Sequence, residues 1–443
     1  MKMIMIYIGM ALGTIFFTIV FLFLFCPDVF FNGFIKRKIE SSFMKSNPGY
    51  ILKIGSLHYH FWNNKIDADT INITNNKSVL LYQIINSTVS GVKFSHLLKG
   101  GPVENEIFGY VADTKELFSH DPDSKYEMRL KGIHLCAADS CIVAKGFEYL
   151  PRNNDETFFA SSKFRQTRFK ISIPAIKISG VDYAGLIKGK NLHIHSAKLS
   201  DVSLDVLINK DVPFYPDSAI NPMPNELFNK MKNPFQIDNI TIDNGHLIYN
   251  ESYDTGKKIA TLSFNNINIT GKEIIDSEKK SVTLNINANG IINDATPVNL
   301  SMILPLSSKD FSLKYSGTFG SMDLTGLNHY LDNAEEDVRV KSGMVQSATF
   351  DVVITSGYAS GKLRPIYSDL KVEPGYTKTS QSMPRRKVDL FLANILLIHK
   401  NNVPDKKGNI KPGEIKFMRA NDTAFMEMIW LSLWSGVKDI AGF

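Results

Sequence analysis

The sequence predicts a mainly β protein carried on a single N-terminal transmembrane helix. Three observations predict it: an uninterrupted apolar run at the start of the chain, period-two hydrophobic alternation through most of the remaining residues, and turn-forming residues between the alternating runs.

Residues 3–26 carry no charged side chain. At about 1.5 Å per residue, such a run spans the roughly 30 Å hydrocarbon core of a bilayer as one helix. A cleaved signal peptide is the rival reading, but its apolar region covers only about 7 to 15 residues and ends in small side chains. This run ends Phe23, Leu24, Phe25, Cys26, and bulky Phe25 also argues against a lipoprotein site at Cys26. Lys36, Arg37 and Lys38 follow the helix while only Lys2 precedes it, the reverse of the positive-inside bias. Taken alone, that puts the bulk of the chain in the cytosol. Alternatively the triplet, reached across Phe30, Phe31 and Phe34, meets lipid headgroups from the far side.

Beyond the anchor, Ile66, Ala68, Thr70, Ile71 and Ile73 form one alternating run. Leu262, Phe264, Ile267 and Ile269 form another, and Val282, Leu284, Ile286 and Ala288 a third. Side chains two apart share a strand face, so these runs predict half-buried antiparallel strands. Asn63 with Asn64, Asn75 with Asn76, and Asp254-Thr255-Gly256 are turn chemistry, and they make most connections hairpins. Residues 176–183 and 240–249 look like weak copies of one unit, each followed by a further pair of strands. Cys136 and Cys141 flank four residues between two strand-like runs. They form either a hairpin disulfide or two free thiols at strand ends.

Helical spacing is confined to four places: residues 225–231, 324–331, 385–399 and 423–440. The third begins with Arg385, Arg386 and Lys387, and the fourth carries Trp430 and Trp434. Either these last two cap a sheet end from the core side, or they lie in a membrane interface, which makes these five residues a candidate docking element. Charge points the same way. The net charge is +6, and residues 341–443 hold 15 Lys and Arg against 9 Asp and Glu, so the whole excess sits there. No basic and aromatic stripe of a nucleic-acid binder accompanies it, and no nucleic-acid partner is expected. With no linker or low-complexity tract, the chain divides into an anchor with its juxtamembrane segment (1–34), one elongated β-rich body (35–380) and a C-terminal helical or capping region (381–443).

Chemistry-bearing motifs are sparse. There is no nucleophile elbow, phosphate-cradling glycine loop or zinc-protease helix. His58 with His60, and His193 with His195, place two imidazoles on one strand face but lack a third ligand nearby. Asp67 and Asp69 pair two carboxylates on one strand among Asn and Thr, which reads as a solvated face. No catalytic, metal or cofactor site is expected; an envelope enzyme is the weakest reading, with the His pairs its only handle.

The C-terminal third resembles the AsmA-like proteins, particularly their DUF748-type branch. The likeness lies in residues 360–370, bounded by Gly361, then 392–396, then 413–417 with Arg419, and finally 430–436. The anchor and the β-rich middle match in style. The resemblance implies a bacterial inner-membrane anchor, a periplasmic body and a role in envelope lipid homeostasis. It also implies an extended, curled antiparallel sheet whose apolar groove binds or transfers phospholipid, with the membrane, phospholipid and other envelope proteins as partners. The alternative is an envelope scaffold with a closed β-sandwich body and no lipid.

Overall fold

The computed structural model describes residues 36–93, 108–119, 124–160, 162–187, 191–213, 221–231, 235–253, 258–276, 281–334, 338–374, 399–420 and 423–442, with positions 14, 33, 95 and 122. The strands are β1 (Tyr50–Ile54), β2 (Leu57–His60), β3 (Lys65–Asn75), β4 (Leu80–Ser90), β5 (Val111–Ser119), β6 (Tyr126–Cys136), β7 (Cys141–Ala144) and β8 (Gly146–Pro151). They continue with β9 (Thr167–Ile173), β10 (Ala175–Val181), β11 (His193–Ser200), β12 (Ser203–Asn209), β13 (Gln236–Tyr253), β14 (Lys258–Asp276), β15 (Ser281–Ile292) and β16 (Thr296–Pro305). The last are β17 (Ser312–Phe319), β18 (Met322–Asp323), β19 (Val338–Thr355), β20 (Tyr358–Pro374) and β21 (Gly413–Met418). The helices are α1 (Lys36–Ser46), α2 (Asp155–Ala160), α3 (Tyr183–Ile187), α4 (Pro224–Lys230), α5 (Asn328–Asn333) and α6 (Phe425–Ala441). The protein is mainly β, as the alternation predicts.

The chain packs as two compact units, Met1–Arg152 with Pro174–Ile194, and Asn153–Ile173 with His195–Phe443. A single body from 35 to 380 does not foresee this division. In the first unit, β3, β4, β5, β6 and β8 pair antiparallel in succession, with β1 and β2 end to end along the outer edge of β3. Helix α1 packs Ile39 and Phe43 onto Leu52, Ile54, Leu57, Tyr59 and Ala68. In the second unit, β13 to β17 follow one another antiparallel, then β19, β20 and β21. Helices α4 and α6 close one face, burying Met223, Leu313, Tyr315, Val352, Ile415, Met428 and Leu433.

The expectation of a purely antiparallel sheet is corrected: β12 and β13 pair parallel, so the pairing is mixed. A long connection through α4 joins them, and parallel neighbours require such a crossover rather than a hairpin.

Left-handed residues interrupt strands in each unit. Asn86 in β4 and Gly132 in β6 have φ of +50° and +56°, and Asn244 and Asn266 in β13 and β14 have +53° and +51°. Such a residue breaks the two-residue pleat, so the apolar positions shift phase along the strand. Ile66, Ala68, Ile71 and Ile73 all pack with one core despite the odd spacing between Ala68 and Ile71, where the β3–β4 register skips Asp69 opposite Asn86. The same device gives the sequence repeat its physical content: Gly180 (φ +67°) and Asn244 stand at the fifth position of each copy. The copies then diverge, because Tyr183 opens α3 whereas Tyr249 stays within β13.

At the outer edge of the second unit, β21 pairs with β20 on one side only among the described residues. Asp439 Oδ2 of α6 accepts from the Glu414 amide at 2.8 Å, and Ser435 Oγ accepts from the Lys416 amide at 3.1 Å.

The helices expected at 225–231, 324–331 and 423–440 are present as α4, a 3-10 turn (Leu324–Leu327) running into α5, and α6. No helix among the described residues is long and apolar enough to cross a membrane. Residues 3–26, Thr14 apart, lie outside the described residues, as do Arg385, Arg386, Lys387 and the helix expected there up to Ile398.

Candidate functional site: an apolar sheet face and an outward helix stripe

In the first unit, directly opposed residues align an apolar row, Ile54–Ile71–Ile84–Leu117–Leu130–Phe147, across six strands. Beyond Asn86 and Gly132 runs a second, Tyr59–Ile66–Val89–Ala112–Leu135–Ile142–Ile178. On the opposite face the matching row is Lys53–Asn72–Gln83–Phe118–Arg129–Glu148, in which the Arg129 guanidinium lies 5.0 Å from the centre of the Phe118 ring. One face therefore carries continuous apolar rows, and the other is polar in this row but for Phe118. Under α1 the apolar rows are closed, with Ile54 and Tyr59 buried. From β4 onward, Ile84, Leu117, Leu130, Phe147, Val89 and Leu135 are only half-buried.

The second unit repeats the pattern. Its rows are Ile240–Gly271–Ile286–Met302–Tyr315–Val352–Gly361–Ile415 and Ile242–Ile269–Ala288–Leu300–Gly317–Phe350–Leu363–Gly413. Between them on the other face lies Thr241–Thr270–Asn287–Ser301–Ser316–Asp351–Lys362–Glu414. Beneath α6 the apolar rows are fully buried at Tyr315, Val352 and Ile415, and the Tyr315 hydroxyl ties the helix down by donating to the Ile429 carbonyl at 3.2 Å. Toward β13 to β15 they open, and Ile240, Ile242, Ile269 and Ile286 are half-buried. Shallow polar clefts lie on the opposite faces, one along Asn268, Asn287, Asn289 and Asn299 and one along Thr88, Asp113, Lys115 and His134.

Helix α6 is two-sided. Met428, Ile429, Ser432, Leu433, Gly436 and Ile440 face the sheet. Met426, Trp430 and Trp434 point outward, 64%, 57% and 38% exposed, and Lys438 completes the stripe at the same four-residue spacing. The two indoles stack with centroids 6.1 Å apart, and the Lys438 ammonium stands 5.9 Å from the Trp434 ring. Trp430 and Trp434 thus occupy the outward side of the helix that caps the core. The inner face is that of a helix covering the sheet.

Cys136 and Cys141 are direct cross-strand partners at the β6–β7 hairpin. Both are free thiols, and Cys136 Sγ donates to Asp139 at 3.3 Å, so the register of a bridge is present and the bridge is not formed. Tyr183 donates to the Cys141 carbonyl at 2.9 Å, and burial, together with the two neighbouring thiols, pushes its hydroxyl up to about 12.

The histidine pairs do not converge on a metal. His60 meets Asp67 at 2.8 Å and His195 meets Asp238 at 3.2 Å, both exposed, and no group of three ligands forms among the described residues. Asp67 and Asp69 serve separate partners. Burial nudges the Asp67 carboxyl up, but donation from Thr88, Lys65 and His60 outweighs it and holds it below the usual range. The Ser56 amide, with that of Thr70, does the same for Asp69.

One constellation was missed by sequence reasoning. Glu251, buried on β13, accepts from the hydroxyls of Tyr249 and Tyr253, each at 2.7 Å, and of Tyr330 on α5 at 2.9 Å, and pairs with Lys210 Nζ at 2.8 Å. Burial alone raises its pKa, but Lys210, Tyr249 and Tyr253 together hold it below the ordinary value. Tyr249 and Tyr330 are pushed well up by burial and by the carboxylate they donate to. The signal was the Tyr-x-Glu-x-Tyr spacing at 249–253, which puts all three side chains on one strand face. Every oxygen is satisfied, so the cluster is a staple of α5 to the sheet. Arg168, buried on β9, forms ion pairs with Asp155 and Asp205, each at 3.0 Å.

Compared with known proteins, the chain matches no family model, and no curated protein matches it.

Proposed function

We propose that the chain is a single-pass, membrane-anchored protein of the bacterial envelope that holds lipid acyl chains on its apolar sheet face. The observation that carries this reading is the continuation of the apolar rows past the helices that cover them. A sheet with one apolar face must meet another layer, and about 25 cal/mol of stabilisation is at stake for each Å² of apolar surface withdrawn from water. From β4 to β8 and across β13 and β14 the described layer gives out while the rows go on, strand after strand. Acyl chains match such a surface in chemistry and in length. Residues 3–26 supply the anchor, and the periplasmic placement follows the AsmA-like likeness of the C-terminal third.

Native mass spectrometry of the detergent-extracted full chain tests the reading. Co-purifying phospholipid and uptake of a labelled phospholipid are expected. A carboxylate in the middle of a row, Leu117→Asp or Ile269→Asp, should cut uptake about tenfold, because an acyl chain gives a buried charge no partner. A chain that carries no lipid and takes up none, with both variants behaving like the parent, would turn the reading to an envelope scaffold.

A further inference from the structure

We propose that Cys136 and Cys141 are a dithiol that closes into a disulfide, riveting β7 to β6 and so holding the returning segment Pro174–Ile194 in the first unit. The geometry is independent of the lipid reading. Oxidation in the cell rests on the body facing an oxidising envelope compartment, where such bridges form and persist.

The returning segment hangs on a short strand. Pro174–Ile194 rejoins the first unit after the chain has left it at Arg152. Its strand β10 pairs with β7, from Ile176 opposite Ala144 to Ser179 opposite Cys141. The Val181 amide donates to the Ser140 carbonyl at 3.0 Å, and the hydroxyl of Tyr183, which opens α3, donates to the Cys141 carbonyl at 2.9 Å. Each of these attachments is made to residues 140–144. Strand β7 is itself only Cys141–Ala144, held to β6 through His134–Val143, Leu135–Ile142 and Cys136–Cys141. A pairing this short is marginal by itself, so whatever fixes β7 to β6 also fixes β10 and α3.

The two thiols are placed for closure. Directly opposed residues of an antiparallel pair share a face and stand about 4.5 to 5.5 Å apart at Cα, inside the roughly 4.4 to 6.8 Å that a disulfide spans. Between them Ser140 takes φ of +49° and its amide donates to the Ala137 carbonyl at 3.2 Å, which closes the turn and fixes the register. The pair lies in the row Ser90–Val111–Cys136–Cys141–Ser179, one step along each strand from the apolar row through Leu135 and Ile142. Successive side chains alternate across a sheet, so the bridge forms on the opposite face and leaves the apolar rows untouched.

The reaction is exchange with a small-molecule or protein disulfide, R–S–S–R. Cys141 is half-buried and Cys136 buried, so the Cys141 thiolate attacks first, forming a mixed disulfide and releasing one R–S⁻. Cys136 Sγ then attacks the Cys141 sulfur of that bond and expels the second R–S⁻, its proton leaving along the hydrogen bond it makes to Asp139. The chain gives up two electrons and two protons, and the oxidant is reduced to two R–SH.

The test uses the full detergent-extracted chain with Cys26→Ser, which leaves the pair as its sole thiols. In buffers of reduced and oxidised glutathione both thiols should disappear together, giving a monomer lighter by two hydrogens and free of glutathione. Closing so short a loop restricts its opening, so hydrogen exchange in residues 140–144 and 176–181 should slow about thirtyfold on oxidation. Cys136→Ser with Cys141→Ser should exchange like the reduced parent in both buffers. Stable glutathione adducts, dimers linked through these thiols, or a bridge that leaves exchange unchanged would each overturn the proposal. A separate readout addresses the compartment: cells quenched in acid and alkylated should yield the bridged form. Thiols found reduced in cells yet bridged in glutathione buffer would uphold the rivet and overturn the envelope placement.

Discussion

Burying a carboxylate takes away its water, and at Glu251 four donors replace it. Glu251→Ala would leave the Lys210 ammonium and three tyrosine hydroxyls without their acceptor, and should destabilise the second unit by about 3 to 5 kcal/mol in urea unfolding. The pH dependence has a definite sign. The folded carboxyl titrates below its ordinary value of 4.5, so its contribution is complete above that value and disappears as pH falls through the lowered one. The stability gap between the parent and Glu251→Gln should therefore be widest near neutrality and narrow on acidification. A gap that widens in acid would contradict the network. Asn86 poses a backbone question instead. It is exposed with φ of +50°, so Asn86→Gly should be nearly neutral, whereas Asn86→Val should cost about 1 to 2 kcal/mol. At this scale the sequence was partly legible. The slip from Ala68 to Ile71 records the change of phase, but an isolated Asn in an alternating run reads equally well as a turn, so the left-handed conformation of Asn86 stayed hidden.

Among the elements, α6 shows how closely a helix can be fitted to a sheet. A Cβ on Gly413 would stand 2.2 Å from the Gly436 carbonyl oxygen, so helix and strand approach through two glycines. Gly413→Ala should push the helix off its seat at a cost of about 1 to 3 kcal/mol. Ile429→Ala and Leu433→Ala should each cost about 2 to 5 kcal/mol, read from urea midpoints. The outward stripe answers a different assay. Vesicles carrying the full chain should capture a second population of anionic vesicles, and Trp430→Ala with Trp434→Ala should reduce capture without changing stability. Capture that survives this double change and is insensitive to salt would exclude docking through α6. The helix was legible because its apolar residues recur at helical spacing over many turns. Helix α1 was not, because its sequence is mostly polar and only Ile39 and Phe43 mark its inner face.

For the whole molecule, composition and alternation announced a β protein because every strand with one dry face must alternate. The choice of partners was beyond their reach. Nothing local distinguishes the parallel β12–β13 pair from an antiparallel one, and nothing local divides the chain at Arg152, Ile173 and Ile194. The edge strand β21 has a consequence for solubility and assembly. An exposed strand offers its amides to any passing strand, including the same one on another molecule. Here the Glu414 and Lys416 amides are already taken by Asp439 and Ser435, and an acidic residue in the last turn of a helix, otherwise opposed by the helix dipole, acquires a purpose. Asp439→Ala with Ser435→Ala should leave the fold intact yet let molecules zip together edge to edge, a concentration-dependent growth that light scattering would register. Among the described residues the ladder ends there, as a hem stops cloth from unravelling.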